Sequence, residues 1–425
     1  MGEKRMMDRE TRNLEYKEQM TNSFLKTVSA FANYCDGRIV FGVRDNADVV
    51  GVSDPAALCL DIENSINDNI DPKPDYRLSV DNKTRTVKLS VFEGMDKPYC
   101  YKNKAYKRND SSTVQVDRLE FSRLVLEGRN RTYEQLKTSE KALSFKLLEL
   151  ELKDKLKITE FDEDTLKTLE LCDGDSNLNN AAALLSDSNH YKILDIVRFG
   201  GSIDEISERV VIENRSILSA YEEAIKVFIR YYRKEIITGA RRETVEIIPE
   251  KAYREAVANA IVHRTWDVSQ SIQIGMFKDR VEITSPGGLP SNLSQEEFLR
   301  GRVSFLRNPI IAGVFARLGI IEKFGTGIRR INECYKEMRL KPEFGIFENS
   351  ITLTLPTTDA VISLDSQEEE IEGLLKPNKI MTRGEIEAAS GMERTKVIRI
   401  LNRLIENRIV ERIGTGRGTK YSLIK

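Results

Sequence analysis

The sequence predicts a multidomain α+β chain, and three observations carry that reading. Its 425 residues exceed what one hydrophobic core usually organises. Alternating strand segments such as YRLSV and TVKLSVF occur in separate regions, with helical segments of 3.6-residue apolar spacing between them. A polar, acidic stretch, DSQEEEIE, sets off a last, basic part. Five blocks follow: a mixed α/β unit over 1–130, a helical connector over 131–180, a second α/β unit over 181–357, a linker over 358–365 and a small module over 366–425.

Composition narrows the function classes. Lys plus Arg number 66 and Asp plus Glu 67, which excludes a uniformly basic nucleic-acid coat but leaves room for local patches. Cys35, Cys59, Cys100, Cys172 and Cys334 are scattered and never form C-x-x-C, so neither a disulfide framework nor a zinc site is expected, and a reducing cytoplasm is. MGEKRMMDRE lacks an apolar signal core, and no run of about 18 apolar residues occurs, so a cytoplasmic protein with no membrane partner is expected.

In the first unit Thr21 or Asn22 should cap a helix over 21–37 whose Phe24, Val28 and Phe31 share a face, with Asp36-Gly37 as its stop. RIVFGV reads as a strand. YRLSV and TVKLSVF around DNKT read as a hairpin with Val87, Leu89 and Val91 on one side. KPYCYKNKAYKRNDSST interleaves Lys97, Lys102, Lys104, Lys107 and Arg108 with Tyr99, Tyr101 and Tyr106. Either this pairs phosphate charge with base-stacking surface, or the tyrosines are strand core and the lysines guard an edge.

In the second unit, YREAVANAIVHRTW places Glu255, Asn259 and His263 four residues apart. On a helix these fall within about 80° of arc, a polar stripe with Val257, Ala260 and Ile261 turned away. Trp266 should be core. Strands SIQIGMF, RVEITSP and SITLTL follow, and in KFGTGIRR residues Gly325, Thr326 and Gly327 open a helix whose free N–H groups and dipole suit an anion. No G-x-x-x-x-G-K-[ST] loop occurs, which excludes a helicase motor.

The last module has the clearest pattern. EEEIEGLLK is one helix, Thr382 with Glu385 forms a capping box opening a second, ERTKVIRILNRLIEN is a third, and RIVERI and TKYSLI flank the turn GTGRG. Three helices followed by a hairpin is the winged-helix pattern. On the third helix Val397, Ile400, Leu401 and Leu404 should be buried, leaving Thr395, Lys396, Arg399 and Arg403 for a major groove, with Arg412, Arg417 and Lys420 on the wing. Residues 376–425 hold twelve Lys or Arg against five Asp or Glu, a net of +7. Double-stranded DNA is the expected partner, a protein-interaction role the alternative, and palindromic operators imply a homodimer.

NLEYKEQ and AFANYCDGRIVFGVRDNADVVGV resemble the Schlafen AlbA-like family over residues 10–125, through Leu14, Glu15, Tyr16 and Lys17, then Ala30, Phe31, Ala32, Asn33, Gly37, Gly42 and Val43. Asp36 replaces the usual first glycine. The resemblance implies a nucleic-acid-binding domain to which Lys102, Lys104, Lys107 and Arg108 would contribute. Some members are ribonucleases, and Glu10, Glu15 and Asp45 stand where a metal-holding carboxylate group would be expected.

REAVANAIVHR resembles the N-box of GHKL-type ATPases, in the divergent form of RecG-like regulators, over residues 185–357. The resemblance implies an α/β sandwich in which Glu255 orients water, Asn259 holds magnesium, and His263, Gly325, Thr326 and Gly327 line an ATP site. Where the family's Asp-x-Gly-x-Gly loop reads adenine, this chain has Ser285, Gly287 and Gly288 in ITSPGGLP, without the aspartate. The expectation is a DNA-binding transcriptional regulator modulated by a ligand or nucleotide in the central domain. An ATP-hydrolysing enzyme and a metal-dependent nuclease are the alternatives.

Overall fold

The computed structural model describes residues 9–424 apart from 239–240, 291–292, 302–305, 323–324, 339, 358–365, 376–378, 407–408 and 415. The expected linker over 358–365 lies outside the described residues. The chain divides into two compact units, one of Met1–Ser139, Asp162–Ala182 and Pro290–Ser294, the other of Glu140–Phe161, Ala183–Leu289 and Gln295–Lys425. The architecture is mixed α+β, with separate sheets in different regions of the chain. Among the described residues no helix is long and apolar enough to cross a membrane.

The first unit is built on β1 (Leu14–Lys17), α1 (Phe24–Tyr34), β2 (Gly37–Phe41), α2 (Pro55–Asn69), β3 (Tyr76–Asp81) and β4 (Thr86–Val91). Its sheet runs β1-β2-β4-β3, with β1 and β2 parallel and the other pairs antiparallel. Val87, Leu89 and Val91 are buried, as the alternation requires, against Phe24, Phe31, Ile39, Phe41, Ile62 and Ile66. Ser23, rather than Thr21 or Asn22, holds the cap position of α1, and its side chain makes no capping bond. By contrast, the Asp54 carboxylate caps α2 by accepting from the Ala56 and Ala57 amides, with Pro55 at the first turn. A hairpin of β5 (Tyr106–Asn109) and β6 (Ser112–Gln115) follows.

The second unit contains β7 (Lys192–Phe199), β8 (Ile206–Glu213), α3 (Ile217–Tyr232), α4 (Glu250–His263), β9 (Ile272–Met276), β10 (Arg280–Pro286), α5 (Pro309–Arg317), α6 (Gly327–Cys334), β11 (Glu343–Ile346) and β12 (Ser350–Pro356). The six strands form one sheet in the order β8-β7-β9-β10-β12-β11, parallel only between β7 and β9. Trp266 is buried and meets the Tyr191 ring edge-on, which puts it in the core as expected. The same unit ends in α7 (Ser366–Leu374), β13 (Met381–Thr382), α8 (Arg383–Ser390), α9 (Arg394–Glu406), β14 (Val410–Ile413) and β15 (Lys420–Leu423). The last strands form a sheet β13-β15-β14, and this module has its own core of Ile371, Leu375, Ile386, Val397, Leu401 and Leu404. The Thr382–Glu385 capping box at the start of α8 is made in both directions.

Gly37, the first residue of β2, packs directly against Phe31 of α1. A Cβ there would lie 2.4 Å from the Phe31 ring, which is itself fully buried. Gly37→Ala should therefore overpack the core and lower stability by about 1–3 kcal/mol, read as a lower midpoint in urea denaturation.

Candidate functional sites

On α9 the apolar period selects the faces. Val397, Ile400, Leu401 and Leu404 are buried, while Thr395, Arg399 and Arg403 are exposed and Lys396 is half-buried. Arg403 differs from its neighbours in having a structural task. Its Nε lies 3.0 Å from the carboxylate of Glu368 on α7, whose side chain is only 1% exposed. Arg412 and Lys420 are exposed on β14 and β15. The Arg417 side chain lies outside the described residues.

In the first unit the tyrosines and part of the cations turn inward. Tyr99, Tyr101 and Tyr106 are buried in the core, with Tyr101 and Tyr106 also at the floor of a cleft. Arg108 is buried too, with Nη1 2.5 Å from Glu15, whose side chain is 6% exposed and which also takes Lys17 at 2.9 Å and the Thr27 hydroxyl at 2.6 Å. Arg108 is thus a partner of Glu15, not a phosphate ligand. Lys107 pairs with Glu120 at 2.8 Å, and the buried Lys97 ammonium pairs with Glu93 and Glu127. Lys102 and Lys104 are exposed and line, with Lys26, a surface cleft of about 430 Å³ over Tyr101 and Tyr106.

The carboxylates named as a nuclease group do not assemble one. Glu10 accepts the Tyr16 amide at 2.8 Å, Glu15 is held by cations, and Asp45 is exposed on a loop. Among the described residues no three His, Cys, Asp or Glu side chains stand together as a metal site. Two residues of the resemblance have structural roles that the sequence alone did not disclose. The Asn33 amide donates to the Tyr99 carbonyl and its oxygen accepts the Tyr99 amide, both at 2.8 Å, and the Asp36 carboxylate accepts the Glu93 amide at 2.9 Å.

The polar stripe of α4 is present, but its neighbours were not predictable from spacing. Glu255 is 8% exposed, with Asn259 Nδ2 3.5 Å from one carboxylate oxygen and Arg330 of α6 3.6 Å from the other. Burial raises the Glu255 pKa, and Arg330 and Asn259 oppose that rise. Arg330 also pairs with Glu322. The Ser285 hydroxyl donates to the Ala260 carbonyl of α4 at 2.9 Å. Arg307 donates to the His263 carbonyl at 3.0 Å, the Thr265 hydroxyl at 2.8 Å and the Gly288 carbonyl at 2.6 Å, tying the α4 C-terminus to the Gly287–Gly288 loop. Asn308 caps the same helix end by donating to the Val262 and Arg264 carbonyls. Gly325 lies in the left-handed region at φ +64°, and Thr326 holds the cap position of α6 with a buried hydroxyl that has no partner among the described residues.

Burial and the adjacent Arg307 push the His263 imidazole down to about 4. Below the unfolded value of about 6.5 the unfolded chain takes up a proton that the native imidazole refuses, so stability falls as pH drops from about 6.5 towards 4. Urea melts at pH 7 and pH 5 should show a loss of about 2 kcal/mol that disappears in His263→Gln. Separately, Arg108→Met should cost about 3 kcal/mol by leaving Glu15 without its closest cation, and Glu15→Gln in the same chain should recover much of it, as read by thermal unfolding.

Against known families, residues 10–117 match the Schlafen, AlbA_2 model and residues 269–355 match the model described as "Putative ATP-dependent DNA helicase recG C-terminal". The second span includes Ser285, Gly287, Gly288 and Gly325–Gly327 but starts after α4. The comparison with curated proteins gives no match. A crystal structure of the DIP2311 protein from Corynebacterium diphtheriae is similar over 97% of this chain and 92% of its own, at 19% identity and a TM-score of 0.47, too distant to carry an argument. The chain therefore joins two segments of recognisable family, Schlafen AlbA_2 over 10–117 and the recG C-terminal type over 269–355.

Proposed function

We propose that the chain is a DNA-binding transcriptional regulator that reads duplex DNA through a winged helix over 366–425. The observation that carries this is the division of labour on α9. Four apolar side chains anchor one face, and the opposite face presents Thr395, Lys396 and Arg399, the latter two with no carboxylate partner among the described residues. A helix held in that way offers a guanidinium to guanine edges and an ammonium to phosphate. Arg412 and Lys420 on the hairpin extend the positive surface towards the backbone.

The AlbA_2 segment supports a second nucleic-acid-facing surface, at Lys102 and Lys104. Binding to a two-fold operator calls for a homodimer. The reading does not require a nucleotide effector, and it places the protein among binders rather than enzymes.

Selection from a random duplex pool tests this. The wild-type chain should enrich a defined sequence, and Arg399→Ala should weaken binding to it by about tenfold or more, the value of one bidentate base contact. Arg403→Ala should act differently, lowering the thermal midpoint by removing the 3.0 Å ion pair to the buried Glu368. Enrichment undiminished in Arg399→Ala would contradict the assignment of α9. Absence of any enrichment by the wild type would favour a protein-interaction module.

A further inference from the structure

The recG C-terminal match and the N-box resemblance both raise the expectation of ATP and magnesium between α4 and α6. The residues there can be tested against that group. A magnesium–nucleotide site needs an open carboxamide or carboxylate oxygen for the cation, which keeps several waters and binds at about 2.1 Å. It also needs a run of unengaged backbone N–H groups for the phosphates.

Among the described residues, the packing of α6 on α4 covers the Asn259 carboxamide that would have to hold the cation. Gly327, at the first turn of α6, lies directly on the stripe: a Cβ there would stand 2.5 Å from Asn259 Nδ2, 2.7 Å from Glu255 Oε1 and 3.2 Å from Asn259 Oδ1. The first turn of α6 therefore packs against the Asn259 and Glu255 side chains, with no room between them for a hydrated cation. The charge of Glu255 is already met by Arg330, which also holds Glu322 just upstream of α6. Arg330 thus stands beside the carboxylate that the resemblance casts as orienting water, one turn from the Asn259 it casts as holding magnesium, and a further cation at this stripe would be repelled.

The base end is closed in the same manner. Ser285, the residue nearest to the family's adenine-reading aspartate, directs its hydroxyl into the Ala260 carbonyl. The Gly288 carbonyl is taken by Arg307. The buried Thr326 hydroxyl lacks a partner, yet it is one neutral donor where a triphosphate needs several.

We infer that the α4–α6 junction is a closed structural site, in which an Arg330–Glu255 pair occupies the place of a magnesium-bound nucleotide and ATP is excluded. Arg330 is a positioning residue: it fixes α6 on α4 by neutralising a buried carboxylate. The inference is independent of DNA binding, which resides on α9.

The test uses the full chain. Isothermal titration with ATP or ADP and magnesium at millimolar concentration should give no saturable heat, and the nucleotides should leave the thermal midpoint unchanged. Arg330→Met should lower that midpoint by several degrees, and Glu255→Gln/Arg330→Met should regain most of the loss, because the double variant no longer buries an unpaired charge. Saturable binding of magnesium–ATP that disappears in Asn259→Ala would overturn the inference. So would an Arg330→Met chain as stable as the wild type. Should Arg330→Met fail to fold, the wild-type titration still decides.

Discussion

A carboxylate taken out of water has to be met by a cation, and that constraint organises much of this chain. Glu15, Glu255 and Glu368 are all nearly buried, and each is joined by an arginine from a distant or separate element: Arg108, Arg330 and Arg403. In every case the arginine ties an element to its neighbour, β5 to β1, α6 to α4 and α9 to α7. These guanidiniums are structural. Among the described residues, Arg399, Lys396, Arg412 and Lys420 in the last module and Lys102 and Lys104 in the first unit have no such carboxylate and are open to an external anion.

This sorting gives the functional reading its selectivity. A count of basic residues in the last module yields a net of +7, which is equally compatible with a diffuse solvated face. Among the described residues, Lys396, Arg399, Arg412 and Lys420 of that set lie on α9 and its hairpin. Similarly, the Lys/Tyr-rich segment of the first unit loses most of its supposed nucleic-acid surface to the core and to ion pairs, and retains two lysines at the rim of a cleft.

Periodic features were legible in the sequence. The amphipathic faces of α1 and α9, the β3–β4 hairpin and the capping box of α8 all follow from spacing and cap chemistry over a few residues. The polar stripe of α4 was legible for the same reason. What spacing does not encode is the partner across the fold. Arg108 and Glu15 are 93 residues apart, and Arg307 binds a helix end 44 residues earlier. Alternation in KPYCYKNKAYK likewise fixes which residues share a side but not which side is core, so tyrosines eligible for stacking turned out to be packed. The departure of Asp36 from the Schlafen pattern is accounted for by its bond to the Glu93 amide.

The account rests most heavily on an open cationic ridge that exchanges salt ions for DNA phosphates. The most direct measurement is the affinity of the full chain for duplex DNA as a function of salt. Each phosphate neutralised should contribute about −0.9 to the slope of log affinity against log salt, so a ridge with several open cations predicts a steep negative slope. A flat line between 50 and 200 mM salt, or no duplex binding at low salt, would contradict it.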